Sequence, residues 1–161
     1  MAVKIGIGHD SHRFAGPGAG RPLVLGGLMI EGAPGLEGNS DADVVLHALC
    51  NAISGVSGRL VLGARTDALC AQGVTDSSVY VLEAVDTLGG YSVTHVSVSL
   101  EAKRPKLAPH VDAMRARIAS ILGLEPADVG VTATSGEGLT AVGRGDGIRA
   151  AVVVTAEKLE D

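Results

Sequence analysis

Residues 39–54 read N-S-D-A-D-V-V-L-H-A-L-C-N-A-I-S, and this stretch sets the frame for the rest of the chain. Ser40-Asp41-Ala42-Asp43 has the form of an acidic capping box, and the positions that follow, Val44, Leu46, Ala48, Leu49, Ala52 and Ile53, keep a helical apolar spacing. The pattern predicts a helix from about Asp41 to Ser54, with Cys50 a small core residue on it and His47 one turn beyond Asp43.

Upstream, Val3 to His9 alternates and is β-branched at its start, and Pro22 to Ile30 (P-L-V-L-G-G-L-M-I) is a second strand candidate. Gly16-Pro17-Gly18 and Gly20 turn the chain between the two, so an N-terminal hairpin is expected. Downstream, helices are predicted over Asp76 to Leu88, closed by Gly89-Gly90, and over Ala108 to Leu122, closed by Gly123. Ser92 to Leu100, Asp128 to Thr134 and Ile148 to Ala156 read as strands. The order ββ, α, α, β, α, β, β predicts an α+β (two-layer α/β) fold, a four-stranded mainly mixed sheet with helices on one face. The other face then needs cover, and a second copy of the chain is the simplest cover, so a homo-oligomer is expected.

The 161 residues, 46% hydrophobic and 19% charged, fit one domain over 1–161 with a substantial core. A net charge of −5 with no basic block, and only 2% aromatics, give neither an electrostatic footprint for nucleic acid nor a stacking platform for bases. The longest apolar runs, such as Ala150 to Ala156, are too short to cross a bilayer, and Met1 to Lys4 lack a signal peptide's apolar stretch, so a cytoplasmic protein is expected. Cys50 and Cys70 lack metal or redox spacing and read as ordinary thiols.

In Gly8-His9-Asp10-Ser11-His12, Asp10 and His12 are two apart on or just past a strand and project to the same side. His47 could complete a set of one oxygen and two nitrogen ligands with a position left open, the pattern of a catalytic zinc site, with Asp43 or Asp41 behind it holding the imidazole tautomer. Spacing alone leaves a second reading open, a strand-end Asp–His hydrogen bond with a structural histidine on the helix.

Four segments bear on that choice: G-H-D-S-H (8–12), N-S-D-A-D-V-V-L-H (39–47), R-P-K-L-A-P-H (104–110) and T-S-G-E-G-L-T-A-V-G-R-G-D-G-I (134–148). In this order, across nearly the whole chain, they resemble the family of 2-C-methyl-D-erythritol 2,4-cyclodiphosphate synthases, whose motifs run G-x-D-x-H, H-S-D-G-D-x-x-x-H, P-K-L/M-x-P-H and T-T-T-E…G-R-G-E-G-I. The resemblance implies a homotrimer with the sheets facing its axis and an active site at each subunit boundary. There, attack of one phosphate on another would close a cyclic diphosphate and expel CMP from a CDP-linked substrate. It implies Asp10, His12 and His47 as ligands of one Zn2+ per subunit, and Glu137 as the holder of a second ion, Mg2+ or Mn2+, on the diphosphate. Ala102, Lys103, Arg104, Pro105, Lys106 and Leu107 match the cytidine pocket, and Thr134 and Ser135 the hydroxyls that contact phosphates. Arg144 matches an arginine facing the trimer axis, and Asn39 and Ser40, with Ser135, fall at positions near the reacting groups.

The chain departs from the pattern in places. Asn39 replaces a histidine, and it donates a hydrogen bond but carries no positive charge. The family's G-D-I-G and F-P-D-T-D are rewritten as G-R-L-V-L-G-A-R-T-D (58–67), with Arg59 and Arg65 as added cations where the non-nucleotide half of the substrate should be read. Gly136, Gly138 and Ala141 replace a threonine, a lysine and a phenylalanine. Three functions are therefore weighed: the ordinary synthase of isoprenoid precursor synthesis, a relative acting on a different CDP-linked compound, and a non-catalytic trimer that binds nucleotide or an isoprenoid diphosphate.

Overall fold

The structure is a computed structural model that describes residues 2–159. Strand β1 (Val3–Arg13) pairs antiparallel with the last strand, β6 (Gly147–Lys158), which pairs antiparallel with β4 (Tyr91–Ala102); β4 pairs in parallel with β5 (Val129–Thr134). The sheet is therefore mixed, in the order β1-β6-β4-β5. The hairpin expected between Val3–His9 and Pro22–Ile30 does not form. Residues 22–30 instead fold back on themselves as β2 (Leu23–Leu25) and β3 (Leu28–Ile30), turning at Gly26 and Gly27, both with positive φ, while β1 takes β6 as its neighbour.

Helix α1 (Val44–Ser57) lies on β1 and β6, and ten of its residues, Val44 to Leu46 and Ile53 among them, are buried. It starts later than its sequence pattern suggests, because Ala42 has φ 56 and only Asp43 takes the capping position. Where the resembled motif has glycine this chain holds alanine in the left-handed region, a conformation that costs roughly 1 kcal/mol for a residue with a Cβ. Two glycines of β1 let α1 approach so closely. A Cβ on Gly6 would lie 1.9 Å from the Ala52 carbonyl oxygen, and one on Gly8 2.2 Å from that of Ala48.

The anchor at the helix start is Asp43, fully buried. Its carboxylate caps α1 by accepting from the N–H groups of Val45 and Leu46, both at 3.0 Å, and also accepts from Gly26 (2.9 Å) and Gly27 (2.6 Å) at the tip of the β2–β3 hairpin. One side chain thus ties the hairpin to the helix.

The rewritten segment 58–67 leads into a helix that the sequence did not suggest, α2 (Ala64–Ala71), in which Thr66 Oγ1 bonds both the N–H and the carbonyl of Gly63 at 3.1 Å. Helix α3 (Ser77–Val85) packs on α1, and α4 (Val111–Leu122), closed by Gly123 at φ 69, covers β5. A short helical turn, α5 (Ala141–Arg144), precedes β6. The inward positions Val96, Val98, Leu100, Ile148, Ala150, Val152 and Val154 are all buried, so the helices do cover one face. On the opposite face Ile5, Ile7 and Val153 are 69%, 71% and 38% exposed, and Ile7 and Val153 stand directly opposite one another in the β1–β6 register. Among the described residues no helix is long and apolar enough to cross a membrane.

Cys50 sits in the core under α3, its S–H donating to the Tyr80 carbonyl at 3.4 Å, and burial pushes its thiol up to about 12. Cys70, on α2, is partly exposed. Alkylation of the native protein with iodoacetamide at neutral pH is expected to label Cys70 and spare Cys50, as read by peptide mass spectrometry; equal labelling would show that the α1–α3 packing described here is wrong.

Candidate metal centre

Because successive residues of a strand point to opposite faces, Asp10 and His12 share the inner face of β1 with Gly6 and Gly8, beyond the point where α1 covers it. Helix α1, seated on those glycines, delivers His47 to the same place. Asp10 Oδ2 lies 2.9 Å from His12 Nε2 and 3.0 Å from His47 Nδ1, and the two imidazole nitrogens are 3.2 Å apart. Among the described residues these three form the one cluster of metal-binding side chains with all donor atoms mutually close.

The donor set fits zinc. Ligand bonds of about 2.0–2.1 Å in a tetrahedron place donor atoms roughly 3.3 Å apart, close to the separations present here, and one oxygen with two nitrogens suits that ion. Each imidazole is also held by its far nitrogen: His12 Nδ1 donates to the Glu37 carbonyl at 2.7 Å, and His47 Nε2 meets Ser77 Oγ at 2.9 Å and Ser40 Oγ at 3.3 Å. Burial alone would raise the Asp10 carboxyl, but hydrogen bonds from His12 and His47 and their charge outweigh it and hold the group well below the usual carboxylate range. The Asp10 hydrogen bond correspondingly raises the His12 imidazole above its ordinary value, against the opposing effect of burial.

Neither aspartate proposed to orient the His47 imidazole reaches it with its carboxylate, although the Asp43 carbonyl accepts the His47 N–H at 2.9 Å. Asp43 is engaged at the helix cap, and Asp41 reaches the imidazole only through Ser77, whose Oγ donates to Asp41 Oδ1 and whose N–H donates to Oδ2 at 3.0 Å. Ser77 was not singled out in the sequence, since a serine after Asp76 reads simply as the start of a helix.

The triad opens on a cleft of about 450 Å³ that also includes Asn39 and Ser40. Arg21 holds their loop by donating to the carbonyls of Gly38 and Ser40. The far wall comes from the rewritten segment, with Leu60, Leu62, Thr66, Asp67 and Cys70. The two added arginines are not part of that wall: Arg65 is paired with Glu83, its Nε 2.6 Å from Oε2, and Arg59 is exposed elsewhere. Asp67 supplies a carboxylate there instead.

Four of the remaining candidates, Lys103, Ser135, Glu137 and Arg144, line a second cleft of about 530 Å³. Ser135 Oγ accepts from the Glu137 N–H at 3.3 Å, Thr134 Oγ1 accepts from the Gly136 N–H at 3.2 Å, and Lys103 Nζ donates to the Arg144 carbonyl at 3.4 Å. Gly136 and Gly138, at φ 74 and 73, take conformations that favour glycine, and a Cβ on Gly136 would fall 2.3 Å from the Glu101 carboxylate. Of the 102–107 segment, Ala102 and Leu107 are buried, Lys103 and Lys106 are exposed, Pro105 is partly so, and the Arg104 guanidinium lies 4.6 Å from the centre of the Phe14 ring. Within one chain the structure does not bring Glu137 to the Asp10–His12–His47 cluster.

Comparison with known proteins agrees with this layout. Residues 3–157 match the YgbB family. The chain belongs to that family. A YgbB relative from Chlamydia caviae, 47% identical over 94% of this chain and 88% of its own length, is named 2-C-methyl-D-erythritol 2,4-cyclodiphosphate synthase, so the resemblance carried by the four motifs is borne out. Among solved structures, the bifunctional IspDF of Campylobacter jejuni superimposes with a TM-score of 0.89 at 30% identity, covering 99% of this chain and 43% of that one. A 2C-methyl-D-erythritol-2,4-cyclodiphosphate synthase bound to CDP gives 0.82 at 31% identity, covering 96% of this chain and 100% of that one. The YgbB fold thus accounts for the mixed sheet, the covering helices and the position of α1.

Proposed function

We propose that this chain is a metal-dependent 2-C-methyl-D-erythritol 2,4-cyclodiphosphate synthase, a phosphorus–oxygen lyase of isoprenoid precursor synthesis in the cytoplasm, working as one domain over 1–161. It converts 4-diphosphocytidyl-2-C-methyl-D-erythritol 2-phosphate to the cyclic diphosphate: an oxygen of the 2-phosphate bonds to the β-phosphorus, the bond from that phosphorus to the bridging oxygen breaks, and CMP leaves. The observation that carries the reading is the convergence of Asp10, His12 and His47 in a cleft shared with Asn39 and Ser40, in a chain 47% identical to a relative of that name.

Asp10, His12 and His47 hold one zinc ion, which when bound supplies a Lewis acid for a phosphoryl oxygen. Asn39 and Ser40 sit in the same cleft with an amide and a hydroxyl for the reacting phosphate. The Asn39 amide donates without a charge, which leaves charge neutralisation to other groups. Asp67 and the hydroxyl-poor wall of Leu60 and Leu62 face the methylerythritol half.

Ala102, Lys103, Arg104, Pro105, Lys106 and Leu107 form the cytidine pocket, Thr134 and Ser135 contact the phosphates, and Glu137 holds a magnesium or manganese ion on the diphosphate. Since Glu137 lies away from the triad within one chain, a neighbouring subunit brings its second cleft against the first. The exposed Ile5, Ile7 and Val153 supply the apolar surface for that assembly, a homotrimer with the sheets facing the axis and Arg144 near it.

Purified protein loaded with zinc and magnesium is expected to release CMP from this substrate and to form the cyclic diphosphate, followed by 31P NMR. Fully metallated protein that turns over nothing would overturn the assignment. Turnover only of a different CDP-alcohol would move it to another substrate.

A further inference from the structure

We infer that Ser77 is a positioning residue that fixes the tautomer of His47, and that Asp41 acts on the metal centre through it. The inference rests on the metal reading of the triad and adds a residue which that reading does not contain.

Proton accounting assigns the roles. Asp41 accepts the Ser77 N–H at Oδ2 (3.0 Å) and the Asp43 N–H at Oδ1 (3.1 Å), so two backbone donors already point at its carboxylate. The Ser77 hydroxyl lies against the same Oδ1 and gives its single proton to that carboxylate. Its oxygen is then left as an acceptor, facing His47 Nε2 at 2.9 Å. That geometry calls for a proton on Nε2, which leaves Nδ1, on the side of Asp10 and His12, as the nitrogen that an ion would take. Ser40 Oγ, at 3.3 Å from the same nitrogen, accepts in parallel and leaves the assignment unchanged.

The arrangement is built rather than incidental. Ser77 is fully buried, at the first turn of α3, and its partner Asp41 is pinned by its own N–H to the Thr75 carbonyl at 2.9 Å. The loop before α1 and the start of α3 therefore close on His47 from behind while β1 faces it in front. Without the Ser77 acceptor only the longer contact to Ser40 Oγ, at 3.3 Å, favours the Nε2 proton, and the tautomer with Nδ1 protonated, which cannot bind metal through that nitrogen, gains population.

Two measurements test this. In metal-free wild-type protein, long-range 1H–15N NMR should show His47 protonated at Nε2. An Nε2 without a proton would overturn the inference whatever any variant does. In chelator competition, Ser77→Ala should bind zinc about 10- to 100-fold more weakly than wild type, with a mixed tautomer signal, and Ser77→Thr should recover most of the loss by restoring the hydroxyl. A folded Ser77→Ala protein with wild-type zinc affinity would likewise overturn it. Wild-type protein that binds no zinc would instead sink the metal reading, and the NMR result would still report on the tautomer.

Discussion

Replacing His47 with alanine is expected to strip the protein of bound zinc and to lower kcat by on the order of 10³-fold or more, with the fold intact. The reason is geometric. His47 is the one ligand that α1 contributes, and without it Asp10 and His12, neighbours on one face of β1, offer a single edge of a coordination sphere. Two donors from one strand rarely outcompete water and buffer for the ion, whereas the third closes the set. Elemental analysis after dialysis reads the metal, and circular dichroism with thermal unfolding checks the fold. A variant that keeps one zinc per chain would show that the ligand set is wrong, and one that unfolds would show that His47 is mainly structural.

Asp43→Ala is expected to have the largest effect on stability, about 3 kcal/mol at pH 7, since it removes a helix cap and leaves two N–H donors at the hairpin tip without an acceptor. Urea unfolding measures it, and a loss under about 1 kcal/mol would mean that the β2–β3 hairpin is anchored by other contacts. The same residue sets a pH dependence. Burial pushes its carboxyl from 3.8 up to about 6, against the backbone hydrogen bonds from Leu46, Gly27 and Gly26 that lower it. A group raised in the folded state binds its proton more tightly there than in the unfolded chain. The proton-linked part of its contribution is thus full below about pH 4 and is lost as pH rises through about 6, while the cap and hairpin hydrogen bonds that Asp43→Ala removes persist at pH 7. The stability gap between wild type and Asp43→Asn, which does not titrate, should accordingly narrow between pH 4 and pH 6. A gap that widens over this interval would reverse the assigned direction.

Much of the fold was legible, and what was not has identifiable causes. The three longer helices and the strands β4 to β6 announce themselves by apolar period and by glycine stops, with Gly123 closing α4 where expected. The partner of β1 did not, because periodicity describes one segment at a time and β1 pairs with the far end of the chain. Helix α2 was invisible because Thr66 is its only buried residue, so it carries no apolar stripe. At the site, the spacing of Asp10 and His12 gave their shared face correctly. That His47 meets them depends on how α1 lies across β1, which Gly6 and Gly8 decide through contacts between backbones. Asp41 and Asp43 look equivalent in sequence, yet one backs Ser77 and the other caps the helix, a division set by the β2–β3 hairpin docking on Asp43.

The pairing of β1 with β6 also dictates when the strand carrying Asp10 and His12 can join the sheet. A ribosome working at roughly 5–20 residues per second releases β1 about 7 to 27 seconds before it reaches β6. Through that interval Asp10 and His12 ride on a strand without its β6 neighbour, its backbone edge open, and Val3, Ile5 and Ile7 present an apolar face. The strand that carries Asp10 and His12 is thus held in a completed sheet only after β6 has been translated.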